Sequence, residues 1–221
     1  MINIQTTVAP IEEPVTLLEM YDLLRLDPLG SPLTHPHDEM LRNMISASRV
    51  WAENYTRRSF VQQGLRLVLP RFPKFRVLMG RNSWGDEDDY ESRSSSIELP
   101  KPPFLSIEEV AYFDESNVLQ IVDPATYFVS AMAMVPALRL NGDLDWPDTC
   151  RREDAVRISY TTGYPPAGSP ADDYSANVPA PIKQAIRFGT QLQYDDLSEE
   201  TRTAMEAERI SLLGSYRVYT L

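Results

Sequence analysis

The chain has 221 residues, 43% hydrophobic and 24% charged, a balance that argues against wholesale disorder and leaves room for one domain or two small ones. Its formal charge is −11, from 32 acidic and 21 basic side chains with no lysine or arginine stripe, which disfavours tight nucleic-acid binding by counterion release. The single cysteine, Cys150, excludes an intrachain disulfide and suits a reducing cytoplasm; the start MINIQTTVAPIEEPV has no leader pattern, and no window approaches the roughly 20 apolar residues of a membrane span.

Residues 1–15 are polar and proline-punctuated and predict an extended arm. Thr16 and Glu19 make a capping box that opens a first helix, with Leu17, Tyr21 and Leu24 at helical spacing. The breaker-rich loop DPLGSPLTHPH, 27–37, precedes a second helix over Asp38–Thr56. Its predicted apolar face carries Leu41, Met44, Ile45, Ser48, Trp51, Ala52 and Tyr55, with Arg42, Asn43, Arg49, Glu53 and Asn54 elsewhere. From Phe60 the period switches: Gly64–Leu69 alternates and Arg76–Met79 is a second apolar run, both suited to strands. GRNSWGDEDDYESRSSS holds too little apolar content to bury and predicts an exposed loop over 80–96.

The stretch IELPKPPFLSIEEVAYFD then carries Pro100, Pro102 and Pro103 between two apolar runs. Proline cannot donate to a sheet ladder, so Ile97–Leu99 and Ile107–Phe113 are expected as separate strands joined by a stiff corner. DESN, 114–117, is turn-forming, and Val118–Val122, Tyr127–Ser130, Ala137–Leu140 and Ala155–Tyr160 supply further extended runs. An irregular link, 163–181, leads to a helix from Ile182, with Pro181 in its first turn and Ile182, Ala185, Ile186, Gly189 and Leu192 as its stripe. Ser198 caps the last helix and Gly214 is expected to stop it. The pattern predicts an α+β fold: a helical bundle from the N- and C-terminal segments with an inserted antiparallel β unit. Its expected parts are an arm (1–15), N-terminal helices (16–59), the β unit (60–165), a linker (166–181), C-terminal helices (182–213) and a terminal segment (214–221).

Catalytic and ligand-binding patterns are weak. HPHDE places His35 and His37 around Pro36 without the further histidine or paired cysteine that a four-ligand metal shell needs, and reads as a helix-entry loop. NGDLDWPD, 141–148, lacks the glycine and glutamate offsets of a calcium loop and reads as a turn with Trp146 packed. There is no G-x-S-x-G and no phosphate-cradle motif. A Cys150–histidine pair made by folding would be a nucleophilic arrangement, and a hydrolase with an unrecognised site would lose activity on alanine substitution at His35, His37 and Cys150. By elimination the chain reads as a non-enzymatic scaffold without metal or cofactor; a small β-type binding module for a carbohydrate or peptide is the alternative.

Six stretches in one order carry a resemblance: TLLEMYDLLRLD, ASRVWAENYTRRSF, IELPKPPFLSIEEVAYFDESNVLQIVDPATYFV, LDWPDTCRREDAVRISYTTGY, VPAPIKQAI and ISLLGSYRVY. Over most of residues 16–219 the chain resembles the head-to-tail connector, or adaptor, proteins of tailed bacteriophages and gene transfer agents. Residues 71–96 and the loop 26–37 are longer than that family's pattern.

The resemblance implies a ring subunit, commonly twelve-membered, made in the host cytoplasm and placed in the virion neck. Such a ring docks beneath the portal, presents a platform to the next neck or tail-completion protein and lets double-stranded DNA pass. Its helical part forms the ring wall. The terminal segment resembles a tether to the portal, which makes Tyr216, Arg217, Val218, Tyr219, Thr220 and Leu221 candidate portal contacts. An aromatic and arginine segment is the composition of interface hot spots, and is expected to be loose until docked. Twelve copies would total about −132, so that DNA slides without adhering if part of that charge lines the channel. Prolines 100, 102 and 103 would then limit the drift of an angle that a ring subunit has to hold.

Overall fold

The computed structural model describes residues 3–73, 96–131, 134–142, 144–167 and 177–219. The strand expected at Arg76–Met79, most of the loop expected over 80–96 and the middle of the link 163–181 lie outside the described residues. In chain order the elements are β1 (Asn3–Val8), α1 (Leu17–Leu24), α2 (Asp38–Thr56), β2 (Gln63–Leu69), β3 (Ile97–Glu98), β4 (Phe104–Phe113), β5 (Leu119–Ile121), β6 (Tyr127–Ser130), β7 (Ala137–Leu140), β8 (Val156–Thr162), α3 (Ala180–Tyr194) and α4 (Glu199–Gly214). This is the α+β class read from the sequence. Two compact units share the chain: a β unit from Met1–Thr7, Gly64–Pro100 and Ser106–Thr161, and a helical unit from Val8–Gln63, Lys101–Leu105 and Thr162–Leu221.

In the β unit five strands run in the order β1-β2-β8-β4-β5 and three more in the order β3-β7-β6. The central strands β2 and β8 are buried along nearly their whole length, their polar residues Gln63, Ser159 and Thr162 included. Leu65, Leu67, Val110, Ala111, Val156, Ile158 and Tyr160 are the core, each 1% exposed or less, and each large side chain contributes roughly 1.5–3 kcal/mol by leaving water. β4 pairs antiparallel with β5 in the register Ala111↔Ile121, Tyr112↔Gln120 and Phe113↔Leu119. The Asp114 carboxylate sets the turn between them, accepting the Ser116 and Val118 amides at 3.0 and 2.9 Å. Trp146 packs as expected, stacked on Phe72 at 4.7 Å and 8% exposed. The arm is more ordered than its polarity suggests: residues 3–8 form the edge strand β1, with only Ile4 shielded.

The helical unit is built on α3, which packs against both α2 and α4. Met20, Ile45, Ala52, Phe60, Ile182, Ala185, Ile186 and Leu213 meet in its core. The capping box at Thr16 forms in both directions, the Glu19 amide donating to Thr16 Oγ1 at 3.2 Å and the Thr16 amide to Glu19 Oε2 at 2.7 Å. The same Glu19 accepts from Arg187 of α3 at 2.5 Å, tying α1 to α3.

Two helical expectations need correction. The buried face of α2 includes Arg49 and Glu53, 7% and 4% exposed, while Trp51 turns outward at 39%. The ions are admitted because they pair: Arg49 Nη1 donates to Glu53 at 2.9 Å, and its Nε and Nη2 to Glu13 at 2.7 and 3.2 Å. The second concerns helix ends. α1 and α2 stop on Arg25 and Arg57, which take left-handed backbone at φ 55° and 56°, whereas α4 ends at Gly214 as expected but through Ser215 in right-handed conformation, without a left-handed glycine.

At the proline corner every carbonyl from Pro100 to Pro103 has a donor. In the β unit, Tyr160 Oη donates to Pro100 O at 2.8 Å. In the helical unit, Thr162 Oγ1 bonds Lys101 O, the Ser59 amide bonds Pro102 O at 3.1 Å, and the Gly163 amide and Thr162 Oγ1 bond Pro103 O at 2.9 and 2.8 Å. Gly163 is required there. Its φ is +108°, and a Cβ would lie 2.2 Å from Val61 O.

Candidate docking surface at the carboxy terminus

After α4 the chain turns back along the end of α2. The Tyr216 and Arg217 amides donate to Leu213 O and Gly214 O at 3.0 and 3.3 Å, and the Val218 amide donates to Thr56 O, the last helical residue of α2, at 2.9 Å. Arg58 Nε reaches Tyr216 O at 2.5 Å. Tyr216 packs on the helical core and Val218 is 3% exposed, so the expectation of a loose segment does not hold through Val218. Arg217 and Tyr219 face outward, Tyr219 at 67% exposed; Thr220 and Leu221 lie outside the described residues.

The outward pair joins a row of side chains that sequence reading did not assemble. Trp51 and Tyr55, one turn apart on α2, stack with centroids 5.4 Å apart and planes 3° from parallel. Arg217 lies over Tyr55 at 5.0 Å and beside Tyr219 at 5.3 Å. At the other end the Arg209 guanidinium of α4 covers Trp51 at 3.7 Å. Order along the row is Arg209, Trp51, Tyr55, Arg217, Tyr219, with the stacked pair of rings held between two cations. The i, i+4 spacing of Trp51 and Tyr55 was the one visible signal, and it was assigned to the core.

Arg209 is fitted closely. Only its tip would collide with a Cβ at Gly189, at 2.4 Å from Nη2, so the glycine makes room for the guanidinium beside α3. Nη2 donates to Ser48 O at 3.2 Å, while Nε is buried without an acceptor. Burial pushes its pKa down to about 10, against the pull of Glu206 one turn earlier on α4, which leaves it cationic at neutral pH.

The histidines occupy the entry to α2. His35 Nδ1 accepts the His37 amide at 3.1 Å, and His37 Nδ1 lies 2.8 Å from Tyr194 Oη of α3. Tyr21 Oη donates to Asp38, and that bond together with burial pushes the Tyr21 hydroxyl up to about 12, burial being the larger cause. These contacts fasten the 27–37 loop to the bundle. In the β unit, the Cys150 amide donates to Phe113 O at 3.1 Å and its thiol lies 3.7 Å from Asn117 Oδ1.

No family model matches the chain, and no curated protein matches it. Solved structures do. A chain in the neck of an empty gene transfer agent particle, solved with C6 symmetry, superimposes with a TM-score of 0.68 at 19% identity, covering 100% of this chain and 97% of that one. A chain in the virion of a native gene transfer agent particle gives 0.67 at 19%, covering 99% and 96%. One in the neck of the native particle, solved with C12 symmetry, gives 0.64 at 18%, covering 100% and 97%. The likeness runs over the whole length of both partners, and the fold of this chain is the fold of a chain in gene transfer agent necks.

Proposed function

We propose that the chain is a non-enzymatic structural subunit of a virion neck, a head-to-tail adaptor that forms a ring, docks on the portal and carries the next neck or tail-completion protein. The observation that carries this is the whole-chain likeness to chains in gene transfer agent necks. The C6 and C12 symmetry of those particles supports a homo-oligomeric ring, in which each copy meets its neighbours through two different patches. The net charge of −11 suits a ring through which DNA passes without being held. The terminal residues meet the portal: Arg217 and Tyr219 from the exposed row, Thr220 and Leu221 beyond it, with Tyr216 and Val218 anchoring the segment to the bundle.

Electron microscopy of the purified protein with and without its portal tests the proposal. Rings stacked on the portal are the expected result; a monodisperse chain that ignores the portal would sink it. Deleting Tyr219–Leu221, which spares the Val218 anchor, should leave the fold intact and abolish tail joining in particle assembly. Normal joining would reject the terminal contact.

A further inference from the structure

The β unit contains a second arginine–aromatic cluster that serves as an internal comparison. There Arg152 lies 3.7 Å and Arg157 5.0 Å from the Phe113 ring. Asp154 closes it, accepting from Arg152 at 2.6 and 2.8 Å and from Arg157 at 2.6 Å. Cation, ring and carboxylate are all supplied by the chain itself.

The row on the helical unit has cations and rings but no such carboxylate. Among the described residues neither Arg209 nor Arg217 makes an ion pair, although acidic side chains outnumber basic ones by 32 to 21. Glu206 influences Arg209 only at longer range. Arg209 is itself 9% exposed and backs Trp51 from within, Arg217 is half-buried, and the row exposes Trp51 at 39% and Tyr219 at 67%. Tryptophan, tyrosine and arginine are the residues that dominate binding energy at protein interfaces, and a stacked ring holds the guanidinium flat for a carboxylate to approach in its plane.

We infer that Trp51, Tyr55, Arg217 and Tyr219, backed by the buried Arg209, are a preformed docking surface for an acidic segment of the portal, one carboxylate of which takes at Arg217 the place that Asp154 fills at Phe113. The inference rests on the portal reading above and extends it: the contact includes α2 as well as the terminal residues, and its partner is defined as carboxylate-bearing. Because Arg217 is already oriented by its rings, little side-chain freedom is lost on docking.

The test is the affinity of the full-length chain for purified portal rings as a function of salt, with Arg217→Gln, Arg217→Glu and Trp51→Leu variants whose folding is checked by circular dichroism. Wild-type binding should weaken as salt rises. Arg217→Gln and Trp51→Leu should each bind about 10-fold or more weakly, the first with a shallower salt dependence, and Arg217→Glu should not bind. If the wild type binds and all three variants match it, the surface assignment is wrong while the portal reading stands. No binding by the wild type overturns the portal reading and this partner with it. Salt-sensitive self-association that the variants lose, without portal binding, would reassign the surface to a second copy of the chain.

Discussion

Thr162 Oγ1 lies 2.8 Å from the carbonyl of Pro103 and also bonds that of Lys101, so one fully buried hydroxyl serves two carbonyls of the proline corner. Prolines bring acceptors without donors, and each buried carbonyl left unmet costs free energy. Thr162→Val keeps the shape and removes the hydroxyl. Pro103 O retains the Gly163 amide, whereas Lys101 O loses its bond. The expected loss is about 1–3 kcal/mol, read as a lower urea midpoint with unchanged slope.

Glu53 carries a larger burden. Its Oε2 accepts from Arg49, and its Oε1 accepts the Phe60 amide at 2.8 Å and Gln63 Nε2 at 3.3 Å, so it links α2 to the chain that leaves it. Burial pushes its carboxyl up, against the pull of the Arg49 guanidinium and the Phe60 amide. Glu53→Gln leaves Arg49 buried with Glu13 alone. Breaking a buried pair costs roughly 3–5 kcal/mol, and the surviving Glu13 contact puts the expected loss at the low end of that range by chemical denaturation.

Asp154 makes the stability of the β unit sensitive to acid. Hydrogen bonds from Arg152 and then Arg157 hold its carboxyl far below the usual carboxylate range, against the opposing effect of burial. A group with a depressed folded pKa stabilises above its unfolded value, 3.8, and loses that contribution as pH falls towards the folded one. The stability difference between wild type and Asp154→Asn should therefore be constant above about pH 5 and shrink as pH drops through 3.8 and below. Denaturation midpoints of both proteins across that range would show it; a difference that grows on acidification would contradict the assignment.

What the sequence disclosed, and what it hid, divides by how local the cause is. The Thr16–Glu19 box, the Asp38 start of α2 and the DESN turn depend on neighbours within four residues, and the Tyr127–Ser130 and Ala137–Leu140 strands pair with each other as neighbours in the chain; each lies where the pattern puts it. β1 was read as a bare arm because an edge strand exposed on both faces needs no alternation; only its pairing makes it a strand. Arg25 and Arg57 give no glycine-like signal for their left-handed ends. The surface row was hidden for a related reason. Trp51 looks like core on a helical wheel, and only the tertiary placement of Arg209, two helices later, turns it into a surface site. Arg49 and Glu53 were misplaced by the same rule in reverse, since charge alone does not reveal a partner at Glu13.

Gly189 separates folding from docking. In the middle of α3 a glycine costs about 1 kcal/mol relative to alanine, so Gly189→Ala should stabilise the helix by that much. The added Cβ would meet Arg209 Nη2 at 2.4 Å and Cζ at 2.5 Å, the far end of a flexible side chain that can move aside. Moving it forfeits the stack on Trp51, about 0.5–2 kcal/mol, and the hydrogen bond to Ser48 O, about 0.5–1.5 kcal/mol, which together cancel or exceed the helical gain. The melting temperature should therefore stay level or fall by a few degrees while affinity for the portal falls, because the guanidinium that backs Trp51 has moved. Thermal unfolding and portal binding measured on the same preparation distinguish the cases. A marked loss of stability would mean that Arg209 is there to hold the bundle together, and unchanged affinity would mean that its place over Trp51 contributes nothing to docking.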